Sequence, residues 1–274
     1  MPTNPYALIV DVELSRKSTP KGLLTDAEML EVQKKALGIR GANPFKDAWE
    51  FMSAAVWTRD EASKRIRRFA DNDGWPEERF DYLKYLTYER PKERINAYEK
   101  SRRMLITWWL IAIYLFEMMT ETNDLSALAS DKLAKSAYLL GAERMQFMYD
   151  HIPPVAPHIV EAMRVQKMDI GPFIEEVWPN KPLVLFEGKQ GVGWEQARCE
   201  AMNSRCMAVA SGTSQMQQYT FSKVMMDEFS RWEAAQDCWR NIQPTLQGGG
   251  RADIVCTAEL GSFAYDLLYD IEIG

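Results

Sequence analysis

The chain has 274 residues, of which 46% are hydrophobic and 26% are charged, and these ordinary values exclude both wholesale disorder and a membrane protein. The length is sufficient for one large domain or for two lobes around a shared core. The formal net charge of −6 excludes a protein that is basic over its whole surface, but it leaves room for a local cationic groove.

The four cysteines indicate a reducing compartment. None of them lies in a C-x-x-C pair and only two histidines accompany them, so the sequence offers neither a zinc site nor a disulfide framework. The first residues lack the basic and apolar regions of a signal peptide. We therefore predict a cytoplasmic protein, or a virion component if it is viral, with no cofactor, no metal ion and no membrane partner.

The N-terminal segment, residues 1–24, lacks helical periodicity. A short apolar run at residues 7–14 is typical of a strand, and residues 18–22 have the composition of a turn. We expect an extended arm that packs on another surface.

Helical patterns dominate residues 25–152, the first predicted lobe. Capping boxes and prolines mark the helix starts. The predicted helices cover residues 27–37, 44–56, 58–70, 75–88, 91–120 and 125–149. The most apolar stretch, residues 104–116, is too short to span a bilayer, so we predict a helix that is buried on all sides.

Pro153 and Pro154 break the helical pattern, and we predict a lobe boundary there. The second lobe, residues 153–247, is predicted to be mainly helical, with one short strand at residues 183–187. Its predicted helices cover residues 157–165, 172–177, 194–209 and 215–242. Three consecutive glycines begin the segment 248–274, which is the second predicted arm. The sequence thus predicts a mainly α fold, a two-lobed helical bundle with extended N- and C-terminal arms and at most a short strand or hairpin.

A cationic helix face is the first candidate site. On the predicted helix 58–70, four basic side chains fall within an arc of roughly 160°. Because clustered cations and stacking rings suit single-stranded nucleic acid, we predict a phosphate groove, with single-stranded RNA as the favoured ligand. The predicted nucleic-acid-binding residues are Lys64, Arg65, Arg67, Arg68, Arg94, Arg102, Arg103, Trp75 and Tyr88. The alternative is a solvated face that neighbouring carboxylates neutralise.

Three other constellations give weaker signals. Residues 183–194 combine a strand, a glycine-rich loop and a predicted helix start, but they match neither G-x-x-x-x-G-K-[ST] nor G-x-G-x-x-G, which favours an ordinary turn. Asp227 and Glu228 are neighbours on a predicted helix and point about 100° apart, which favours simple solvation. His151 and His158 lack a partner nucleophile in any known motif, which favours a rigid surface turn.

The lack of a catalytic signature and the two apolar arms favour a structural protein over an enzyme. We predict a self-assembling protein that coats nucleic acid, such as a viral coat or nucleocapsid protein, with arms that link its subunits into a homo-oligomer.

Two alternatives stay open. One is an enzyme or carrier with an apolar pocket, in which His151 or His158 supplies the acid–base group. The walls of this pocket would be Trp108, Trp109, Met118 and Met119. The other alternative is a helical adaptor that binds partner proteins.

Overall fold

The computed structural model describes residues 43–59, 65–69, 81–100, 104–189, 193–211, 216, 218–257 and 259–269. These residues form an α/β protein that is built on a seven-stranded mixed sheet, with a separate two-stranded sheet. The strands are β1 (Trp57–Arg59), β2 (Ile66–Arg68), β3 (Ile95–Glu99), β4 (Leu125–Ser130), β5 (Val184–Lys189), β6 (Gly193–Cys199), β7 (Ser204–Ala210), β8 (Lys223–Met226) and β9 (Arg251–Cys256).

The α-helices are α1 (Ala48–Ala55), α2 (Asp81–Glu89), α3 (Ile106–Thr120), α4 (Leu133–Leu140), α5 (Met145–Asp150), α6 (Pro157–Val165), α7 (Ala235–Gln247) and α8 (Phe263–Tyr269). Short 3₁₀ helices occupy Arg90–Lys92, Gly171–Phe173, Glu200–Met202 and Phe229–Arg231.

The strand order in the large sheet is β3-β9-β8-β4-β7-β6-β5. The pairs from β3 to β7 are all parallel, whereas β5, β6 and β7 pair in antiparallel fashion. Since parallel strands end at one edge of a sheet, the carboxyl ends of β3, β9, β8, β4 and β7 lie together. In open α/β sheets, ligands bind at that edge.

The sheet separates two hydrophobic cores. Along β4, Leu128 packs into the core around α3, while Ala127 and Ala129 pack into a second core with α7. Along β8, Met225 joins the first core, and its neighbour Met226 joins the second. Central parallel strands that are buried on both faces have this continuous apolar character.

Helix α3 lies at the centre of the first core, and the prediction of a buried helix in this region is confirmed. Trp109, Leu110, Ile111 and Tyr114 are fully buried. Within the described residues, no helix has the length and apolarity that a bilayer span requires.

The prediction of a mainly α, two-lobed bundle with arms is wrong. Three strands of the sheet lie inside segments that were predicted as helices: β3 in 91–120, β4 in 125–149 and β8 in 215–242. The predicted helix 194–209 is the β6–β7 pair. A strand that is buried on both faces shows no period-2 alternation, and Ala, Leu and Met in these strands are good helix formers.

The predicted C-terminal arm is also wrong. Arg251–Cys256 forms β9, an inner strand that pairs with β3 on one side and with β8 on the other. The predicted N-terminal arm and the predicted helix 27–37 lie outside the described residues. The helix at residues 157–165 and the strand at residues 183–187 are confirmed, the latter as β5.

Candidate functional site

A hydroxyl and a carboxylate meet at the carboxyl edge of the parallel strands. Thr107, in the first turn of α3, donates a hydrogen bond from Oγ1 to Oδ1 of Asp227 across 3.1 Å. Asp227 directly follows β8, and α3 follows β3 after a short loop. The fold therefore joins two residues that lie 120 positions apart in the sequence.

Backbone hydrogen bonds fix Asp227 at the end of β8. Its amide donates to the Ala129 carbonyl on the neighbouring strand β4, at 2.9 Å. Its carbonyl accepts a hydrogen bond from the Trp232 indole at 3.0 Å. These two hydrogen bonds hold the Asp227 backbone in a fixed position at the carboxyl edge of the sheet.

The turn before α3 has a left-handed residue at its end. Leu105, the N-cap of α3, has φ 56° and ψ 7° and makes no side-chain capping hydrogen bond. Its carbonyl accepts from the Trp109 amide, so the helix begins immediately after it. The first amides of a helix have no partner within the helix, and together with the helix dipole they favour an anion.

Two further contacts hold this turn. The Tyr82 hydroxyl of α2 donates to the Met104 carbonyl. At the other end of the loop, the Lys100 amide donates to the Cys256 carbonyl at 2.9 Å, which continues the β3–β9 pairing. The loop is therefore tied to a helix on one side and to the sheet on the other.

The electrostatic environment of Asp227 is mixed. Burial raises the pKa of its carboxyl, while the Lys100 charge and the Thr107 hydrogen bond act in the opposite direction. Glu228 raises the pKa of this carboxyl and the Arg144 charge lowers it. The Asp227 carboxyl is therefore subject to opposing influences: burial and the Glu228 charge raise its pKa, and two cations and one hydrogen bond lower it.

A magnesium ion fits this set of oxygen donors. In P-loop nucleoside triphosphatases, Mg²⁺ is held by a Ser or Thr at the start of a helix and by an Asp at the end of a strand, and the phosphates complete its shell. Thr107 and Asp227 occupy the corresponding positions, at the start of α3 and after the end of β8. Among the described residues, no group of three His, Cys, Asp or Glu forms an all-protein metal cage, which such a site does not need.

The loop sequence departs from the usual phosphate-binding motif. When Thr107 is aligned with the last position of G-x-x-x-x-G-K-[ST], Ile106 replaces the lysine and Leu105 replaces the second glycine. Lys100 stands at the position of the first glycine. The chain therefore keeps the hydroxyl and has its lysine at the opposite end of the loop.

Two other segments also place a loop or turn directly after a strand. In the part of the chain that the structure describes, neither brings a hydroxyl at a helix start into contact with a carboxylate at the end of a neighbouring strand. In the segment 183–194, Val184–Lys189 forms β5 and Gly193 begins β6, which pairs with β5 in antiparallel fashion; among the described residues the next element after β5 is this strand and not a helix. In the β4–α4 turn, Lys135 pairs with Asp131 at 2.8 Å, and Ser136 is buried and donates to the Val209 carbonyl.

The predicted cationic helix face has a different structure. The segment 58–70 contains strands β1 and β2, which pair antiparallel, with Thr58 opposite Arg67. Successive strand side chains point to opposite faces, so Arg67 and Arg68 do not share one. Arg68 is 3.5 Å from Glu175 and lies over the Trp57 ring.

The remaining predicted nucleic-acid residues lie on separate elements or outside the described residues. Arg65 immediately precedes β2, and Arg94 immediately precedes β3. Tyr88 lies on α2, and its hydroxyl donates to Asp47 at 3.2 Å. The predicted residues outside the described part of the chain are Lys64, Trp75, Arg102 and Arg103.

All residues named for the alternative apolar pocket except His158 are buried in the core. Trp109, Met118 and Met119 are at most 1% exposed, and Trp108 is also buried. His151 stacks on Phe147 at 3.9 Å between ring centroids, and its Nδ1 lies 2.7 Å from the Phe147 carbonyl. His158 lies exposed on α6.

No protein-family model matches the chain, and no curated protein matches it. Among solved structures, the HK97 bacteriophage large terminase superposes with a TM-score of 0.50 and 11% identity, over 78% of this chain and 37% of that chain. This chain shares its fold with a bacteriophage large terminase. The ATPase domain of the Thermus phage P74-26 large terminase gives a TM-score of 0.42 and 14% identity, over 72% of this chain and 73% of that chain.

The terminase-like fold overturns the predicted coat or nucleocapsid function. That prediction required a helical body whose two apolar arms join subunits. The described residues instead form an α/β fold with a mixed sheet that superposes on a large terminase, and the segment proposed as the C-terminal arm contributes β9, an inner strand of that sheet. The capsid interpretation is therefore wrong.

The sequence alone did not indicate Thr107, Lys100 and Asp227 as a site. The available signal was the apolar run Val224–Met226 followed by Asp227 and Glu228, which is typical of a buried strand that ends in carboxylates. Because this run was assigned to the predicted helix 215–242, it did not indicate a strand that ends in carboxylates. The loop 100–107 gave no such signal, because it contains no glycine.

Proposed function

We propose that this chain binds and hydrolyses ATP, as part of a DNA-packaging motor of the phage large-terminase type. The observation that supports it best is the Thr107–Asp227 hydrogen bond at the start of α3 and the end of β8. The fold likeness to a large terminase agrees with it. The chain spans only 37% of the HK97 protein, so a complete motor would require more than the residues present here.

The proposed roles follow from position. The first amides of α3 would face the phosphates, and the Lys100 ammonium would offset their negative charge from the end of β3. Thr107 and Asp227 would hold Mg²⁺, which on binding neutralises charge on the phosphate oxygens.

Glu228 is the candidate for orienting the attacking water. It directly follows Asp227 and adopts a left-handed conformation, φ 55° and ψ 37°, which is uncommon for a residue with a side chain. In hydrolysis, the water oxygen bonds to the γ-phosphorus and the bond from that phosphorus to the bridging oxygen of ADP breaks. A carboxylate beside the water accepts its proton, and the products are ADP and inorganic phosphate.

A pair of threonine variants on one helix tests this function. Thr107→Val removes the hydroxyl at the start of α3, while Thr120→Val removes one at its end, where the hydroxyl donates to the Phe116 carbonyl at 2.8 Å. We expect Thr107→Val to lower Mg²⁺-dependent phosphate release at least roughly tenfold, as loss of a metal partner does. Thr120→Val should retain the wild-type rate.

Calorimetry with ATP and Mg²⁺ provides the direct check on the wild-type chain. Saturable binding that EDTA weakens is the expected result. A folded wild-type chain that binds neither ATP nor ADP would contradict the proposed function, as would equal rates for the two threonine variants.

The proposed nucleic-acid partner is DNA, in line with the terminase fold, and the single-stranded RNA of the sequence prediction is not carried forward. Arg65, Arg67, Arg68 and Arg94 stay predicted contacts. Fluorescence anisotropy with labelled double-stranded DNA tests both points. Arg67→Glu with Arg68→Glu should weaken binding, and unchanged binding would show that these residues do not contact the DNA.

A further inference from the structure

An arginine at the end of β1 joins the hairpin β1–β2 to a turn beside α3. Arg59 forms an ion pair with the Glu143 carboxylate, and the same guanidinium donates to the Ala142 carbonyl at 3.3 Å. Both partners lie in the turn between α4 and α5. The Arg59 side chain is 25% exposed, so water only partly screens this ion pair. Arg59 therefore connects the hairpin to the turn at two points.

The segment that Arg59 contacts also packs against the start of α3. The Arg59 Cζ lies over the Phe147 ring, 5.0 Å from its centroid. The Phe147 ring meets the Trp108 ring edge to face, with 6.1 Å between the centroids. Trp108 directly follows Thr107, whose hydroxyl reaches the Asp227 carboxylate. One aromatic ring thus contacts both the hairpin arginine and the first turn of α3.

A second contact connects the turn with Trp108. Arg144, which follows Glu143 in the chain, lies over the Trp108 ring at 4.4 Å, and one of its Nη atoms donates to the Glu143 carbonyl at 3.0 Å. Trp108, Arg144 and Phe147 are all buried. Closely packed buried side chains transmit strain to one another. A displacement of the turn therefore displaces the first turn of α3 as well.

The hairpin itself carries positive charge. Strands β1 and β2 contain three arginines and no carboxylate. Arg59 pairs with Glu143, whereas Arg67 and Arg68 stay predicted contacts for DNA. These two lie on β2, which pairs with β1 so that Ile66 is opposite Arg59. DNA that binds along β2 would thus lie one strand away from the ion pair with the turn.

We propose that the Arg59–Glu143 ion pair couples DNA binding on the hairpin to nucleotide binding at the start of α3. This inference rests on the proposed function and names a regulation of the same site. A nucleotide that orders the first turn of α3 also orders the turn 141–144 and, through the ion pair, the hairpin. DNA then binds a hairpin that has already lost conformational entropy, which tightens binding without a new contact. Linkage requires that DNA tighten nucleotide binding by the same factor.

Paired affinities measure this coupling. Fluorescence anisotropy gives the dissociation constant of labelled double-stranded DNA with and without a saturating non-hydrolysable ATP analogue and Mg²⁺. In the wild type, we expect the analogue to tighten DNA binding roughly fivefold or more, the lower end of typical coupling between two sites. Arg59→Met should abolish this effect while it still binds both DNA and the analogue. Glu143→Gln, which removes only the charge of the partner, should act in the same way.

A second ion pair of the hairpin provides the matched control. Arg68 lies 3.5 Å from Glu175, which belongs to the segment after the 3₁₀ helix Gly171–Phe173. Glu175→Gln removes this hairpin ion pair and should keep the wild-type coupling. The double variant Arg59→Glu with Glu143→Arg reverses the first ion pair and should recover part of the coupling. A purely structural role of Arg59 would lower thermal stability and leave the response of DNA binding to the analogue unchanged.

The outcomes separate this inference from the proposed function. If the wild type binds the analogue but its DNA affinity does not respond, or if Arg59→Met and Glu143→Gln keep the full response, the ion pair does not couple the two sites while nucleotide binding stands. A wild type that binds no DNA also contradicts the inference. If the wild type binds neither ATP nor ADP, the proposed function fails and this inference fails with it. If Arg59→Met does not fold, Glu143→Gln decides the question.

Discussion

Arg90 and Asp253 form a buried bidentate ion pair: Nε and one Nη of Arg90 donate to Oδ2 of Asp253 at 3.0 and 2.8 Å. Asp253 lies in the middle of β9 and has no exposed surface. Its carboxylate also accepts from the Tyr114 hydroxyl at 3.0 Å and from the Asn96 amide at 3.3 Å. The pair therefore links the 3₁₀ helix Arg90–Lys92 to β9, β3 and α3.

The ion pair continues into a second cation through Glu117. Arg90 donates to Glu117 at 2.6 Å, and Lys223, the first residue of β8, donates to the same carboxylate at 2.7 Å. Glu117 lies ten residues after Thr107 on α3, which is about 15 Å along the helix axis. The network thus holds α3, which carries Thr107, against β8, which directly precedes Asp227. Its contacts lie at the far end of both elements from the candidate site.

Arg90→Met should strongly destabilise the protein. The substitution leaves the Asp253 carboxylate buried without its cation, and breaking a buried pair in this way costs about 3–5 kcal/mol. Urea unfolding followed by circular dichroism measures the loss. Arg240→Met, which removes an exposed partner of Asp237, should change the free energy of unfolding little. Equal effects of the two substitutions would show that the buried network contributes no stability.

The fold could be predicted from the sequence only where local signals decide the structure. The helix at residues 157–165 begins with a proline in its first turn, and α3 is an uninterrupted apolar segment. Both were found. In contrast, three of the four residues in Lys223–Met226 have good helix propensity, and only its pairing with β4 and β9 makes it a strand.

The candidate site was missed for a related reason. Thr107 and Asp227 lie 120 positions apart and meet only after β3 and β8 enter the same sheet. The predicted basic cluster, in contrast, rested on residues that are close in sequence, and the change from helix to hairpin removed the shared face.

His151 should make the protein less stable in mild acid. Burial lowers the pKa of its imidazole to about 4, and the Phe147 carbonyl hydrogen bond only partly opposes this effect. In the unfolded chain the pKa is near 6.5, so between pH 6.5 and pH 4 the unfolded state binds the additional proton. Stability is then lost as the pH falls through this window, by up to about 3 kcal/mol at pH 4.

Unfolding free energies at pH 7.5 and pH 5 measure this loss. His151→Gln cannot bind the proton, so its stability should change less between the two pH values than that of the wild type. His158→Gln, which alters an exposed residue on α6, should keep the wild-type dependence. An identical pH dependence in His151→Gln and wild type would assign the acid loss to other groups.

Tyr82→Phe should weaken nucleotide binding with little loss of stability. The Tyr82 hydroxyl donates to the Met104 carbonyl in the turn before α3, and burial raises the pKa of this phenol to about 12, so it stays a donor at neutral pH. Loss of one such hydrogen bond costs about 1 kcal/mol, which corresponds to roughly a fivefold change if it falls on binding. Titration with a fluorescent ATP analogue measures the effect. Tyr265→Phe on α8 is the control, and equal affinities in both variants would count against a role of Tyr82 in holding the turn.

Leu105→Gly should tighten nucleotide binding. Leu105 adopts φ 56°, a left-handed conformation that costs a residue with a side chain about 1–2 kcal/mol, and glycine avoids this cost. Removal of the side chain also lets a phosphate approach the first amides of α3 more closely. Lys167 has the same φ in the turn after α6, so Lys167→Gly relieves similar strain without touching the site. We expect both variants to retain their fold in thermal melts and only Leu105→Gly to bind ATP more tightly. Unchanged or weaker ATP binding in Leu105→Gly would mean that the phosphates do not lie against this turn.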